Sequence, residues 1–400
     1  MTTAAAPAKK RRITSYDGLR GIAAIGVVFN HVGFAAFGWY HPLGGRPPVD
    51  SWRWWVTYTP LHMIWAGPAI ILFMLSGTVL SLAAASRGFG WFNWSYYPRR
   101  LVRLYLPAWA AIVIAGALSF GRPSSPIAGA TPWLNTFAMH AQFGAGLKVA
   151  TLLTFPAGIM GYIPLLWTMR WEVLFSALLP LALVPIILTK NRPRLAALMA
   201  LLCFAIIGAQ RGTNTWHHAP HFLALFALGA MLPFHAHRFP KIPRSKWPLS
   251  ALVVVIAIVL LTNTYWSVND EPIGDVGSMG LPGIGVALGG LLAVWVAHAS
   301  DSVDRLLSAR PAQWLGARAY SLYLIHMPIV VGVGFAFNGH PSVLVLAAIS
   351  VPLSLMACDV FWRLIENPSF LLGIRIGEAL FPSKTAAAQT QPAVIPIVTA

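Results

Sequence analysis

Three ionisable side chains interrupt the first apolar stretch of this 400-residue chain. Residues 15–40 read SYDGLRGIAAIGVVFNHVGFAAFGWY, with Asp17, Arg20 and His31 among hydrophobic neighbours. The run is long enough to cross a bilayer as a helix. At 100° per residue, Arg20 and His31 fall about 60° and 40° from the direction of Asp17, so the three share one face. His31 lies roughly 21 Å beyond Asp17 along the axis. Ionisable groups in a spanning helix are costly and face a protein interior or a wet cavity. Asp17 and Arg20 can simply cap and anchor a helix end. His31 is too deep for that, and serves either as a packed polar group or as an acid–base group.

Carboxylates are scarce, eleven Asp plus Glu in all, so each one in an apolar segment needs a reason. Glu172 sits in PLLWTMRWEVLFSALLPL, flanked by Trp167 and Trp171, with Arg170 two residues before it. It reads as an interfacial Arg–Glu anchor in a Trp belt, or as a carboxylate lining a cavity at the depth of His31, where the two would form an acid–base pair. The segment YYPRRLVRLYLP brings Arg99, Arg100 and Arg103 to the start of another helix. Arg99 and Arg103 are four apart and share a face, and Pro98 suits the first turn. The cluster is either topogenic or, as arginine without lysine at the depth of Arg20, a bidentate phosphate site. His326 stands in RAYSLYLIHMPIV and Ser76 in ILFMLSGTVLSL. His326 is a core imidazole or a functional one. Ser76-Gly77 in mid-helix allows close packing or a hydrogen bond across helices, and Ser76 with His326 would be a nucleophile–base pair. Glu366-Asn367-Pro368 reads as a helix stop, with an ion pair to the arginine cluster as the other option.

The elements that position these groups are membrane helices. The chain is 57% hydrophobic and 10% charged, with mean hydropathy +0.67, against about 25% charged in soluble domains. The expected fold class is all-α, a polytopic integral membrane protein of about ten transmembrane helices. Approximate spans are 18–39, 60–85, 101–119, 162–188, 195–210, 219–235, 249–266, 281–299, 319–337 and 343–364. Basic residues concentrate before the first span (Lys9, Lys10, Arg11, Arg12) and in alternate connections, whereas one opposite loop carries Asp270, Glu271 and Asp275. The positive-inside rule therefore places both termini in the cytoplasm of a cell (inner or plasma) membrane. The expected layout is a basic cytosolic segment 1–14, a membrane domain 15–370 and a cytosolic tail 371–400, disordered from Ser383 onward. The segment 121–160 is the longest outer loop, with interfacial or re-entrant pieces. The net charge of +17 follows from this topology and from anionic lipid; no basic patch in a soluble domain points to nucleic acid. Cys203 and Cys358 lie in apolar runs and imply neither a disulfide framework nor a metal site. KKRR followed by an ionisable face does not read as a cleaved signal peptide. The absence of an internal repeat counts against a transporter built on inverted repeats.

Taken in order, these segments resemble the acyltransferase-3 family of integral membrane acyl-CoA-dependent O-acyltransferases. YDGLRGIAAIGVVFNH matches its first-helix signature, with Asp17, Arg20 and His31 in place; LFMLSG, YYPRRLVRLYLP, LWTMRWEVLFS, YSLYLIHMP and Glu366-Asn367-Pro368 match later ones in the same order. The resemblance covers roughly residues 14–370. Two departures leave the ionisable positions untouched: Thr168-Met169 stands where many members have Ser-Leu, and Thr78 where many have Phe. The resemblance implies transfer of an acyl group, acetyl or short, from acetyl-CoA or another acyl-CoA donor to a sugar hydroxyl of a glycan, glycolipid or glycosylated metabolite. It implies no permanently bound cofactor. His31 would be general base or transient acyl carrier, and Glu172 its partner. Arg20, Arg99, Arg100 and Arg103 would hold the phosphates of coenzyme A. Asp17, Ser76, Trp167, Arg170, Tyr320, Ser321, His326 and Glu366 would support them. The chain is expected to end before the hydrolase-like C-terminal domain that some relatives carry. A proton-coupled transporter or flippase of a lipid-linked sugar or drug, and a non-catalytic component of a glycan-assembly complex, are the competing readings.

The topology is testable without any assay of activity. A reporter active only outside the cytoplasm should be silent when fused after Ala400 and active when inserted beside Glu271; the opposite pattern would reverse the assigned sides.

Overall fold

The computed structural model describes residues 13–37, 67–140, 143–153, 165–209, 219–262, 280–338 and 342–382. Apart from one isolated bridge between Ile242 and Ser300, the regular structure of the described residues is helical. The chain begins with α1 (Thr14–Phe37), α2 (Pro68–Arg87) and α3 (Tyr96–Ser119). Two short helices follow, α4 (Pro132–Asn135) and α5 (Phe143–Ala150). Then come α6 (Leu166–Thr189), α7 (Pro193–Ala209), α8 (Ala219–His235), α9 (Trp247–Leu261) and α10 (Gly280–Ala299). The short α11 (Asp301–Leu307) leads into α12 (Arg310–Ala336), α13 (Val343–Phe361) and α14 (Asn367–Leu380). Apolar sequence in hydrocarbon has to satisfy its backbone within the segment, which selects helix. Pro107, Pro233 and Pro328 lie inside such helices, where packed neighbours relieve the broken ladder.

Nine segments of the described residues are long and apolar enough to cross a membrane, and the chain is an all-α, multi-pass membrane protein. At 17 residues, α7 is the shorter apolar helix beside them. Packing direction supplies the tenth crossing. Trp171 of α6 stacks on Phe222 of α8 at 5.3 Å, and Phe175 on Phe226 at 4.2 Å, so the two helices advance together and are parallel. Their C-terminal ends meet where Thr189 and His235 hydrogen-bond at 2.9 Å. Among the described residues α7 alone lies between these two parallel helices, so it returns across the membrane. The end of α2 joins them, because Lys190 Nζ donates to the Ala85 carbonyl at 3.1 Å and Arg238 to the Lys190 carbonyl at 3.1 Å. The basic segments after α2, α6 and α8 thus gather at one end of the bundle, here termed the basic end. Lys9 to Arg12 and the acidic group Asp270, Glu271 and Asp275 lie outside the described residues.

Two sequence expectations are corrected at the C-terminal side. Glu366-Asn367-Pro368 does not stop the helix. A π-turn over Trp362–Glu366 carries α13 into α14, with Pro368 in the first turn of α14, where the missing N–H costs nothing. The tail drawn from 371 thus begins as ordered helix, which continues to Leu380; 383–400, expected to be disordered, lies outside the described residues. In the loop 121–160, the described part holds α4 and α5, tied to α3 by Tyr105 and Trp109, which donate to the carbonyls of Thr151 and Ala150 at 2.9 and 2.8 Å.

The closest helix contacts are made at glycine. A Cβ on Gly316 of α12 would lie 2.1 Å from the Asp17 carbonyl oxygen of α1, and one on Gly77 of α2 would lie 2.1 Å from the Phe226 carbonyl oxygen of α8. In lipid, where apolar surface gains little by leaving the solvent, small residues let backbones approach until dispersion holds them. Gly316→Leu and Gly77→Leu should each cost more than about 3 kcal/mol, because two backbones must separate rather than one side chain yield. Gly332, whose added Cβ meets nothing within 4 Å, should tolerate alanine. Thermal unfolding of the purified variants in detergent reads all three; a Gly316→Leu protein as stable as Gly332→Ala would contradict the packing.

Candidate active site

A pocket of about 180 Å³ opens between α1, α2, α3, α6 and α12. Arg20, Arg100 and Arg103 line it together with Ser76, Glu172 and Tyr320. Ala69, Leu72, Phe73, Thr168, Met169 and Tyr323 make a mostly apolar part of the wall, and Val79, Leu80, Leu104 and Ala319 complete the lining. Because α2 and α6 run toward the basic end, their first residues, including Ala69 and Thr168, lie farthest from it. The pocket therefore grades from guanidinium groups on the basic side to apolar side chains deeper in.

Glu172 belongs to the arginine side. Ser76 Oγ donates to its Oε1 at 2.6 Å and Arg100 forms an ion pair with the same oxygen. Arg100 Nε also donates to Ser176 Oγ at 2.9 Å. Only 13% of the Arg100 side chain and 17% of the Glu172 side chain are exposed, so each charge offsets the desolvation of the other. This corrects the sequence pairing of Glu172 with His31, and equally the pairing of Ser76 with His326. The anchoring alternative fails too, since the carboxylate's partner is Arg100 rather than Arg170. Arg170 is buried with its guanidinium 5.6 Å from the Trp171 ring. Trp167 is half-buried against Phe73 and Phe222.

Of the arginine cluster, Arg100 and Arg103 reach the pocket and Arg99 does not. Arg99 turns to α14 and meets Glu378 at 3.5 Å. The face shared by Arg99 and Arg103 thus resolves into an Arg100–Arg103 pair at spacing three. Arg103 lies 5.5 Å from the Phe370 ring of α14. Arg20 joins from α1, 3.3 Å from Asp17. Glu366 accepts from the backbone and hydroxyl of Ser321 at 3.0 and 2.5 Å, with the Arg103 and Arg20 charges nearby. Tyr320 donates to the Leu104 carbonyl at 2.7 Å, fastening α12 to α3 beside the pocket.

The partner of His31 is His326. Gly21 and Gly316 meet where α1 crosses α12, and each imidazole stands ten residues further along its own helix. The parallel helices keep this register, and His326 Nε2 lies 3.4 Å from His31 Nδ1. His31 Nδ1 is also 2.8 Å from the Val27 carbonyl, and His326 Nδ1 is 2.8 Å from the Leu322 carbonyl. A carbonyl only accepts, so in the neutral rings both protons sit on Nδ1 and both Nε2 atoms keep their lone pairs. Phe34 and Trp133, the latter from α4, pack around His31 with centroids 5.5 and 6.0 Å away. Thr131 holds α4 there by donating to the Ala35 carbonyl at 3.2 Å.

Tyr323 links the two regions, and sequence reasoning did not single it out. It lines the pocket, bonds through Oη to Thr168 Oγ1 at 2.6 Å, and meets the His326 ring edge-on at 6.2 Å. The i, i+3 spacing of Tyr320, Tyr323 and His326 on one helix face was the available signal. Among the described residues, no group of three His, Cys, Asp or Glu side chains is arranged to hold a metal ion.

Comparison with known proteins agrees with the family resemblance. A family model described as an acyltransferase domain matches residues 13–363, and the chain belongs to that acyltransferase-3 family. A putative peptidoglycan O-acetyltransferase YrhL of Bacillus subtilis (strain 168) is 25% identical over 376 residues, covering 89% of this chain and 52% of that protein. The acyltransferase clz18 of Cochliobolus lunatus is 25% identical over 240 residues, covering 52% of this chain and 50% of that one. The O-acetyltransferase OatA of Staphylococcus aureus (strain MRSA252) is 25% identical over 240 residues, covering 56% and 39% respectively. The chain therefore spans about half the length, or less, of these relatives. No solved structure matches it.

The geometry makes Glu172 a partner of Arg100, and stability can check this. Glu172→Leu leaves a mostly buried guanidinium unpaired and should cost about 2 kcal/mol or more. Adding Arg100→Met should restore most of the lost melting temperature in detergent, whereas adding His31→Ala should not. Restoration by His31→Ala instead would revive the acid–base pairing.

Proposed function

We propose that this chain is a membrane-bound O-acyltransferase, moving a short acyl group from acyl-CoA to a sugar hydroxyl of a carbohydrate-containing acceptor. The observation that carries this reading is the alignment of three groups of residues. Guanidinium groups of Arg20, Arg100 and Arg103 open a pocket, its deeper wall is apolar, and a buried histidine pair lies one helical turn beyond Tyr323. The donor has the same order: phosphates, then an apolar arm, then a thioester. Arginine forks suit the phosphates. The acceptor would approach from the end opposite the basic one, past Trp133. The names of the relatives, two of them O-acetyltransferases, support the reaction class.

In this reading the His31 Nε2 lone pair accepts the proton of the acceptor hydroxyl as its oxygen attacks the thioester carbonyl carbon. The C–S bond breaks, and the leaving sulfur takes that proton to give free coenzyme A. In the acyl-carrier variant the same lone pair attacks the thioester carbonyl carbon first, breaking the C–S bond and expelling the coenzyme A thiolate; the acceptor hydroxyl oxygen then takes the acyl group, and its proton goes to that thiolate. Either way His31 becomes positively charged, and His326 Nε2, with its lone pair facing His31 Nδ1, stabilises that charge. Glu172 acts at one remove, holding Arg100 in the pocket wall.

His31→Ala should abolish transfer by a factor of about 10² or more, the scale of losing a general base, with insertion intact. His326→Ala should lower the turnover number more than it raises the donor KM. Arg103→Lys should do the reverse, since it keeps the charge and loses the planar fork. Release of coenzyme A by purified protein measures all three, and wild-type turnover in His31→Ala would end this reading.

A further inference from the structure

The phenol of Tyr323 separates the arginine pocket from the histidine pair. It forms pocket wall on one side and contacts His326 on the same helix, one turn further from the arginines. Its Oη is held twice, by Thr168 Oγ1 at 2.6 Å and by the Leu165 carbonyl at 3.1 Å. Thr168 itself donates to the Leu165 carbonyl at 2.8 Å, so α6 and α12 are latched at this level. One turn beyond Tyr323 on α12, His326 is completely buried, and neither histidine lines the pocket. On the pocket side Leu72, Phe73 and Met169 offer apolar wall for an acyl tail, and Tyr323 bounds it.

We propose that the Tyr323–Thr168 latch determines acyl-chain specificity. It admits an acetyl-sized group to His31 and excludes longer chains, whose extra methylenes would overlap the phenol ring. The proposal rests on the donor reading above. With phosphates fixed at Arg20, Arg100 and Arg103, the thioester can approach His31 only as the ring moves aside. A two-carbon group then needs little displacement, while a four-carbon tail must occupy the volume the ring returns to. Thr168 contributes by its hydroxyl rather than its bulk, since the hydroxyl restrains the phenol.

The experiment compares coenzyme A release from acetyl-CoA and butyryl-CoA by the purified full chain. Wild type should favour acetyl-CoA strongly. Tyr323→Leu should raise the butyryl-to-acetyl ratio of kcat/KM by about tenfold or more, the usual scale for a methylene in an apolar pocket. Thr168→Val keeps shape and removes the shorter of the phenol's two hydrogen bonds, leaving the one to the Leu165 carbonyl; it should raise the ratio less, without the packing loss that could prevent Tyr323→Leu from folding. A purely structural role would lower both rates together and leave the ratio fixed. An unchanged ratio in the folded variants, or a wild type that uses both thioesters equally, would overturn the latch alone. A wild type that uses neither would remove the donor reading, and the latch with it.

Discussion

The close approach of α1 and α12 is the contact on which the functional region depends. Its cause is small. Gly21 and Gly316 leave no Cβ between two backbones, in a solvent that offers little apolar driving force for helix association. Ten residues is about 15 Å along a helix, so a parallel crossing fixed at those glycines delivers His31 and His326 to the same level without any loop acting as intermediary. The same crossing seats Asp17 against α12 and points Arg20 into the pocket. A register shift of one residue on either helix would rotate an imidazole by 100° and separate the pair.

Charge is the second constraint. A guanidinium within hydrocarbon is expensive, and this chain places several there. Two of them show how the bundle offsets that cost. Arg100 has Glu172 and Ser176. Arg318 has Asp359 at 2.5 Å, and stands between the rings of Trp314 and Trp362 at 4.4 and 4.5 Å. With few carboxylates available, those in the bundle are spent on arginines and on Ser321 rather than on the imidazoles. That leaves the histidines with backbone carbonyls and each other.

The helix that runs through Glu366 shows how local rules yield to tertiary context. Proline and asparagine after an acidic residue normally end a helix. Here a π-turn absorbs the extra residue, and π-turns of this kind recur at functional sites because they redirect a side chain. The redirected side chain is Glu366, which meets Ser321 on α12. The continuation as α14 then covers Arg99 and Arg103 on α3, removing Arg99 from the pocket.

Composition and periodicity by themselves determined that this is an all-α membrane protein, where its helices run, and which few ionisable residues the bundle must accommodate. These follow from local physics: bilayer thickness sets length, hydropathy sets burial, and basic residues mark one side. Motif order likewise identified His31, His326, Glu172 and the arginines as the groups of interest. What only the tertiary structure decided is who meets whom. Helix periodicity assigns a residue to a face but says nothing of which helix lies opposite, so Glu172 was paired with an imidazole at comparable depth when α3 brought it a guanidinium. The α7 crossing follows from the parallel stacking of α6 on α8, and the position of Tyr323 between the pocket and His326 from the packing of α12 against α6. Both depend on contacts between helices distant in sequence, whose partners no local pattern specifies.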